Sequence, residues 1–352
     1  MTDPPAPPAP RRGPRPAAVP EQPVLVAPDA FKGSFGAARV AGAIGRGLER
    51  AGLRPPDLCP VADGGEGTAE ALLLGLGGET AAATARDPLG RPRRAGFALI
   101  EDGGTAIVEV ASAGGLPLLA EDEPDPLRAT SHGTGELIVA AVAAGAAVVL
   151  VACGGSATVD GGAGMLEVLA DAGLRFDGRG AVDARLVCLC DVRTPWERAA
   201  AVFGPQKGAA PEQLPALQAR MERIAGELPR DPRGTPMSGA AGGIAGALWA
   251  AHGARLEPGA RFVLDALDVR ERMRAARAVV VGEGRIDRTT LEGKIAGEIA
   301  VDARQSGVPS FAIVGQHALD PFGVRILDLQ VVLEAGDLDA LADAGERLAA
   351  YL

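Results

Sequence analysis

From position 24 onward, short aliphatic runs alternate with polar, glycine-bearing loops and with apolar positions at helical spacing. VLVAP (24–28) reads as a short interior strand and DAFKGS (29–34) as a loop. Val40, Ile44 and Leu48 then form one helical face at i, i+4, i+8. The cadence returns near the other end. AVVVGEGRID (278–287) predicts strand then loop, 290–303 a helix, SFAIVG (310–315) a strand and LQVVLEAG (329–336) a last strand. Residues 337–352 form a closing amphipathic helix with Asp337 as its N-cap. In the middle, 97–112 predicts a hairpin of two alternating strands around Asp-Gly-Gly. AAVVLVACGG (146–155) predicts a fully buried strand running into glycines. The stretch 212–228 predicts a helix with Leu214, Leu217, Met221, Ile224 and Leu228 on one side.

Strand–loop–helix units at both ends and a hairpin between them predict an α/β fold. The expected arrangement is a Rossmann-like domain made of 23–66 and 277–352, interrupted by an inserted α/β domain over 67–276. Residues 1–22 are rich in Pro, Ala and Arg and read as a disordered tail. They carry no hydrophobic segment of the kind a secretory signal needs, and no apolar run is long enough to span a membrane. The cytoplasm is the expected compartment.

Composition narrows this picture. Of 352 residues, 47% are hydrophobic but only 3% aromatic, so the core is expected to be aliphatic. The net charge of −10 argues against a nucleic-acid binder, while leaving room for a local basic pocket. Four cysteines without a C-x-x-C pair and three scattered histidines give no zinc framework, and the cysteines read as reduced core residues.

The candidate chemistry lies in six loops that follow apparent strand ends: 28–34, 61–68, 130–136, 153–164, 203–209 and 282–294. Each combines Gly with Asp, Glu, Lys, Ser or Thr. In open α/β sheets ligands collect at the carboxyl ends of strands. Glycine loops let backbone N–H groups cradle phosphate, and GGSATVDGGAG (153–164) followed by a helix fits that part. Lys32, Lys207 and Lys294 each sit in one of these loops, in a chain whose 35 basic residues are almost all arginine. A retained Lys suggests a need for a compact point charge. No Walker loop, no G-x-G-x-x-G after the first strand and no G-x-S-x-G elbow occurs.

VLVAPDAFKGS, PVADGGEGT, TSHGTGELI, GGSATVDGGAGML, AAVFGPQKGA, SGAAGGIAGAL and VVGEGRIDRTTLEGK occur in the order seen in the glycerate kinase type 1 family, which this chain resembles from about Val24 to its end. The resemblance implies ATP-dependent, Mg²⁺-requiring phosphorylation of glycerate to 2-phosphoglycerate. It also implies a flavodoxin-like domain plus a second α/β domain, with the site in the cleft between them. Asp191 is implied to orient or deprotonate the glycerate hydroxyl, and Lys207 to hold phosphate or carboxylate. Asp29, Lys32, Asp63, Glu66, Ser156, Thr158, Arg285 and Lys294 are implied to bind substrate or phosphate, and Asp160 and Asp287 to bind metal or nucleotide. The chain departs from the family pattern at Thr194 and Trp196, where Asn and Leu are usual, and at Val159, His132 and Val281. These departures keep another small hydroxy acid open as acceptor. A catalytically silent binding protein on the same scaffold is the remaining alternative. Partners are expected to be the small-molecule substrates, with a homo-oligomer left open.

Overall fold

The computed structural model of the chain describes residues 22–31, 33–176 and 184–352. The 1–21 part of the tail and Lys32 therefore lie outside the described residues. The strands in chain order are β1 (Val24–Pro28), β2 (Asp57–Leu58), β3 (Glu79–Arg86), β4 (Pro92–Ile100), β5 (Thr105–Glu109), β6 (Val148–Cys153) and β7 (Arg185–Cys190). Then follow β8 (Arg255–Pro258), β9 (Ala278–Gly282), β10 (Arg285–Ile286), β11 (Ser310–Val314), β12 (Gln316–His317) and β13 (Leu329–Glu334).

They build a five-stranded sheet in the order β13-β11-β9-β1-β2, parallel throughout, and a six-stranded sheet in the order β3-β4-β5-β6-β7-β8. In the second sheet β3, β4 and β5 pair antiparallel, and β5 through β8 pair parallel. Strands β10 and β12 form a separate parallel pair. The first sheet draws its strands from residues 24–58 and 278–334, and the second from 79–258.

Strand periodicity distributes the side chains over three apolar layers. Val24 and Val26 of β1 pack with the helices Ala37–Arg50 and Leu338–Leu348 on the outer face of the first sheet. Leu25 and Ala27 face the other way, into a layer that also receives Ile107 of β5, Leu150 of β6 and Leu189 of β7. Helices Thr68–Leu76, Gly259–Ala266 and Ile295–Ser306 contribute Leu72, Val263 and Ile299 to the same layer. The outer face of the second sheet takes Val149, Val151 and Cys153 of β6 against the helices His132–Ala143, Ala163–Asp171, Leu214–Glu227 and Ile244–His252. The two sheets thus share one helix-filled apolar layer, which fixes how their loop edges face each other.

All four cysteines are free and buried. Asp337 caps the last helix, its side chain accepting from Ala340 N at 2.8 Å. Three elements differ from the sequence reading. The hairpin is present, but its second strand stops at Glu109 and Val110–Gly114 is helical. The helix expected from 290 begins at Ile295, because Arg288–Glu292 forms a 3₁₀ turn capped by Asp287. Strand β3, ETAAATAR, is built largely of alanine, whose apolar contrast is too weak to show as alternation.

Candidate active site

Because the first sheet is parallel, β1, β9 and β11 deliver their loops to one edge. There they enclose a cavity of about 470 Å³ lined by Asp29, Asp63, Glu283, Arg285, Asp287 and Lys294 among others. Five of these six are residues that the sequence reading placed at the site; Glu283 is the addition. Lys294 Nζ lies 3.2 Å from Glu283 Oε2 and 3.7 Å from Asp287 Oδ1, while Arg285 Nε lies 3.3 Å from Asp287 Oδ2. Glu283 is only 5% exposed and also accepts from Thr290 Oγ1 at 2.6 Å. Burial raises its pKa, against the pull of Thr290 and Lys294. Asp287 is held below the usual carboxylate range, chiefly by the Thr289 hydroxyl, and so keeps its charge at the cavity wall. Glu283 stands inside GEGRID; its position directly after a buried strand was the signal available in the sequence.

On the second sheet, β6 runs into 154–160 and β7 into Asp191. The 154–158 loop is pinned from behind: Ala157 N donates to Gly114 O at 2.8 Å and Leu116 N to Gly155 O at 3.1 Å. Lys207, 3% exposed, reaches beneath this loop and donates to Ser156 Oγ and Thr158 O, both at 2.7 Å. Burial pushes its pKa down from 10.5 to about 7, with the charges of Asp160 and Asp191 opposing the fall. The buried Thr158 hydroxyl has no hydrogen-bond partner among the described residues. The structure thus brings Ser156, Thr158, Lys207 and Asp191, each named in the sequence reading, into one neighbourhood.

The phosphate cradle expected at the start of helix Ala163–Asp171 is corrected by the geometry. Asp160 accepts from Gly162 N at 3.1 Å and Gly164 N at 3.3 Å, and Met165 N donates to Ser131 Oγ at 3.0 Å. The helix N-terminus is already filled by the protein's own oxygens. Asp160 is fully buried and takes two further hydrogen bonds, from Ser131 N at 2.9 Å and Ser131 Oγ at 2.7 Å. Its oxygens are committed to four protein donors, so the expected metal role gives way to a capping role. Among the described residues no group of three or more His, Cys, Asp or Glu side chains is placed to hold a metal.

The two sets of loops meet through glycines. A Cβ on Gly154 would lie 2.5 Å from Gly65 Cα and 3.1 Å from Asp191 Oδ2. A Cβ on Gly65 would lie 3.1 Å from Asp63 Oδ1 and 3.7 Å from Asp191 Oδ2. Only glycine allows backbones this close. One step further along, Glu66 Oε2 comes within 3.9 Å of a Cβ position on Gly155. The Asp63–Glu66 loop of the first sheet and the Gly154–Asp191 edge of the second are thus one surface. Among the described residues no helix is long and apolar enough to cross a membrane.

The sequence profile of the Glycerate kinase family matches residues 24–181 and 176–334 of the chain. The chain is 37% identical to a glycerate kinase of Bacillus subtilis, over 94% of each chain. It is 35% identical to the glycerate 2-kinase of Escherichia coli, over 94% of this chain and 97% of the relative. In three dimensions it matches a crystal structure from Salmonella typhimurium LT2, provisionally assigned as glycerate kinase 2. That match has a TM-score of 0.78 at 33% identity and covers 94% of this chain and 98% of the other. With a two-sheet α/β fold, a charged cavity at the loop edge of the first sheet and matches along nearly its whole length, the chain belongs to the glycerate kinase family.

Proposed function

We propose that the chain transfers the γ-phosphoryl group of ATP to D-glycerate, with Mg²⁺ accompanying the nucleotide, and forms 2-phosphoglycerate. The observation that carries this reading is the meeting of Asp63, Gly65, Gly154 and Asp191 beside the charged cavity. Phosphoryl transfer asks a protein mainly for positioning and for charges that match the spreading negative charge. Asp191 accepts the proton of the glycerate hydroxyl. Lys207, with its pKa lowered to about 7, is only partly charged at neutral pH without ligand, and an anion beside it raises that charge. Ser156 and the unpartnered Thr158 hydroxyl supply polar contacts in the same loop. Arg285 and Lys294 offer cations to carboxylate or phosphate, Arg285 in the bidentate manner of a guanidinium. The donor set suits Mg²⁺, which commonly takes only one or two protein carboxylates together with phosphate oxygens. Asp63 and Asp287, both on the cavity wall, are the carboxylates that would hold it; unlike the fully buried Asp160, the capping Asp287 keeps part of its side chain open to the cavity. Bound there, Mg²⁺ would supply neutralising charge to the phosphate oxygens. The name of the Escherichia coli relative supports the 2-position.

The test is turnover by the purified chain with ATP, Mg²⁺ and D-glycerate, following ADP release and identifying the product by phosphorus NMR. Formation of 2-phosphoglycerate is expected. A 3-phosphoglycerate product would overturn the position, and faster turnover of another hydroxy acid would overturn the acceptor.

A further inference from the structure

Glu109 lies outside all six loops singled out in the sequence. It ends β5, in the six-stranded sheet, and its carboxylate holds the start of helix Thr68–Leu76, which packs on β4 and β5. Oε1 accepts from Gly67 N at 3.0 Å and from Ala69 N at 2.8 Å, the N–H groups that open helix Thr68–Leu76. That helix directly follows the loop bearing Asp63, Gly65 and Glu66. The loop is stiff within itself: Thr68 Oγ1 donates to Gly65 O at 2.8 Å and Gly65 N to Asp63 Oδ1 at 3.2 Å. Whatever moves the helix start therefore moves Asp63 and Glu66 with it.

Stability alone would be served by a local cap, such as Ser or Asp at the N-cap position. Here that position is Gly67, at φ 92, with no side-chain cap. The capping oxygen comes instead from the end of β5, distant in sequence and held among like charges. Burial raises the Glu109 pKa, the two backbone donors oppose this, and Glu66 and Glu70 raise it further. We infer that Glu109 is a positioning residue, a clamp from the second sheet that sets the Asp63–Glu66 loop against Gly154, Gly155 and Asp191. This rests on the proposed placement of Glu66 at the site.

The test combines Glu109→Asp, Glu109→Gln, Glu66→Gln and the double variant Glu109→Asp with Glu66→Gln. Aspartate keeps the charge but is one methylene too short to reach both N–H groups, whereas glutamine keeps the acceptor at full reach. The clamp predicts a kcat loss of about tenfold or more for Glu109→Asp, with smaller changes in KM, and near-parent kcat for Glu109→Gln. Glu66→Gln should then cost less in the Glu109→Asp background than in the parent. Amide hydrogen exchange at Gly67 and Ala69 should speed up in Glu109→Asp and stay near parent rates in Glu109→Gln. The reverse pattern, with Asp active and Gln inactive, or strictly additive losses, would overturn the inference. A parent protein without kinase turnover would strike the functional reading instead. The exchange rates would then decide the clamp, with unchanged rates in Glu109→Asp counting against it.

Discussion

Replacing Lys207 by methionine is expected to lower kcat by about 10²–10³-fold, the size of effect seen when one preorganised donor to developing charge is removed. Stability near neutral pH is expected to change little. The ammonium lies 3% exposed, and its pKa of about 7 instead of 10.5 measures how far burial disfavours its charge. Below neutrality this is a cost on the order of 5 kcal/mol relative to a chain in which the group is neutral in both states. Methionine removes that cost at similar volume, but leaves Ser156 Oγ and Thr158 O without their donor, at about 1–3 kcal/mol each. The two effects nearly offset. The sign of the pH dependence separates them. Below about pH 7 both folded and unfolded chains hold the proton. Between about 7 and 10.5 the unfolded chain binds more protons, so parent stability rises with pH, and above that window it levels off. The Lys207→Met variant should lack this rise. Thermal unfolding at pH 6 and pH 9, alongside kinetics, checks both halves. Parent-like kcat would remove Lys207 from the mechanism, and a parent-like rise in stability would assign the pH dependence to another group.

How much of this was legible in the chain depends on the range of the interaction. Strand β1, helix Ala37–Arg50 with Val40, Ile44 and Leu48 buried, and the Asp337 cap are local patterns and could be read directly. The cavity residues after β1 and β9 could be placed together because parallel strands put their loops on one edge. The role of Asp160 could not. An aspartate in a glycine loop looks the same whether it faces a ligand or the start of its own helix, and only Ser131, distant in sequence, decides between them. Glu109 was hidden for the same reason, since its partners Gly67 and Ala69 are distant in sequence.

Three of the departures from the family pattern, Thr194, Trp196 and His132, have a structural role in three dimensions. Trp196 is fully buried, donates its indole N–H to Met221 O at 3.1 Å, and fits against Gly161, Gly243 and Gly246. A Cβ on any of those three glycines would come within 3.0 Å of its ring. The Arg193 and Thr194 carbonyls accept from Met237 N and Gly239 N. Trp196 is thus a core side chain, and Thr194 ties its backbone to a neighbouring loop. His132 is occupied by Thr130 and Glu167. The altered stretch is therefore taken up by packing and backbone hydrogen bonds, and Asp191 itself is retained.

Gly154→Ala tests whether the junction of the two loop edges is the site. The added Cβ would stand 2.5 Å from Gly65 Cα, a backbone atom with no rotamer by which to retreat, and 3.1 Å from Asp191 Oδ2. Relief requires the Asp63–Glu66 loop and the β6 edge to separate by roughly 1 Å to reach ordinary contact. Overpacking of this kind costs about 1–3 kcal/mol of stability. A misplacement of that size in a catalytic constellation costs about 10²-fold in rate. We therefore expect a chain that still folds, with a lowered urea midpoint and kcat reduced about 10²-fold. The matched control is Gly226→Ala, in helix Leu214–Glu227, where an added Cβ meets nothing within 4 Å. There alanine should stabilise by about 0.5–1 kcal/mol and leave turnover unchanged. Parent-like kcat in Gly154→Ala, with the urea midpoint lowered as expected, would show that the loops can part without consequence for the reaction. Catalysis would then have to reside within the cavity of the first sheet alone.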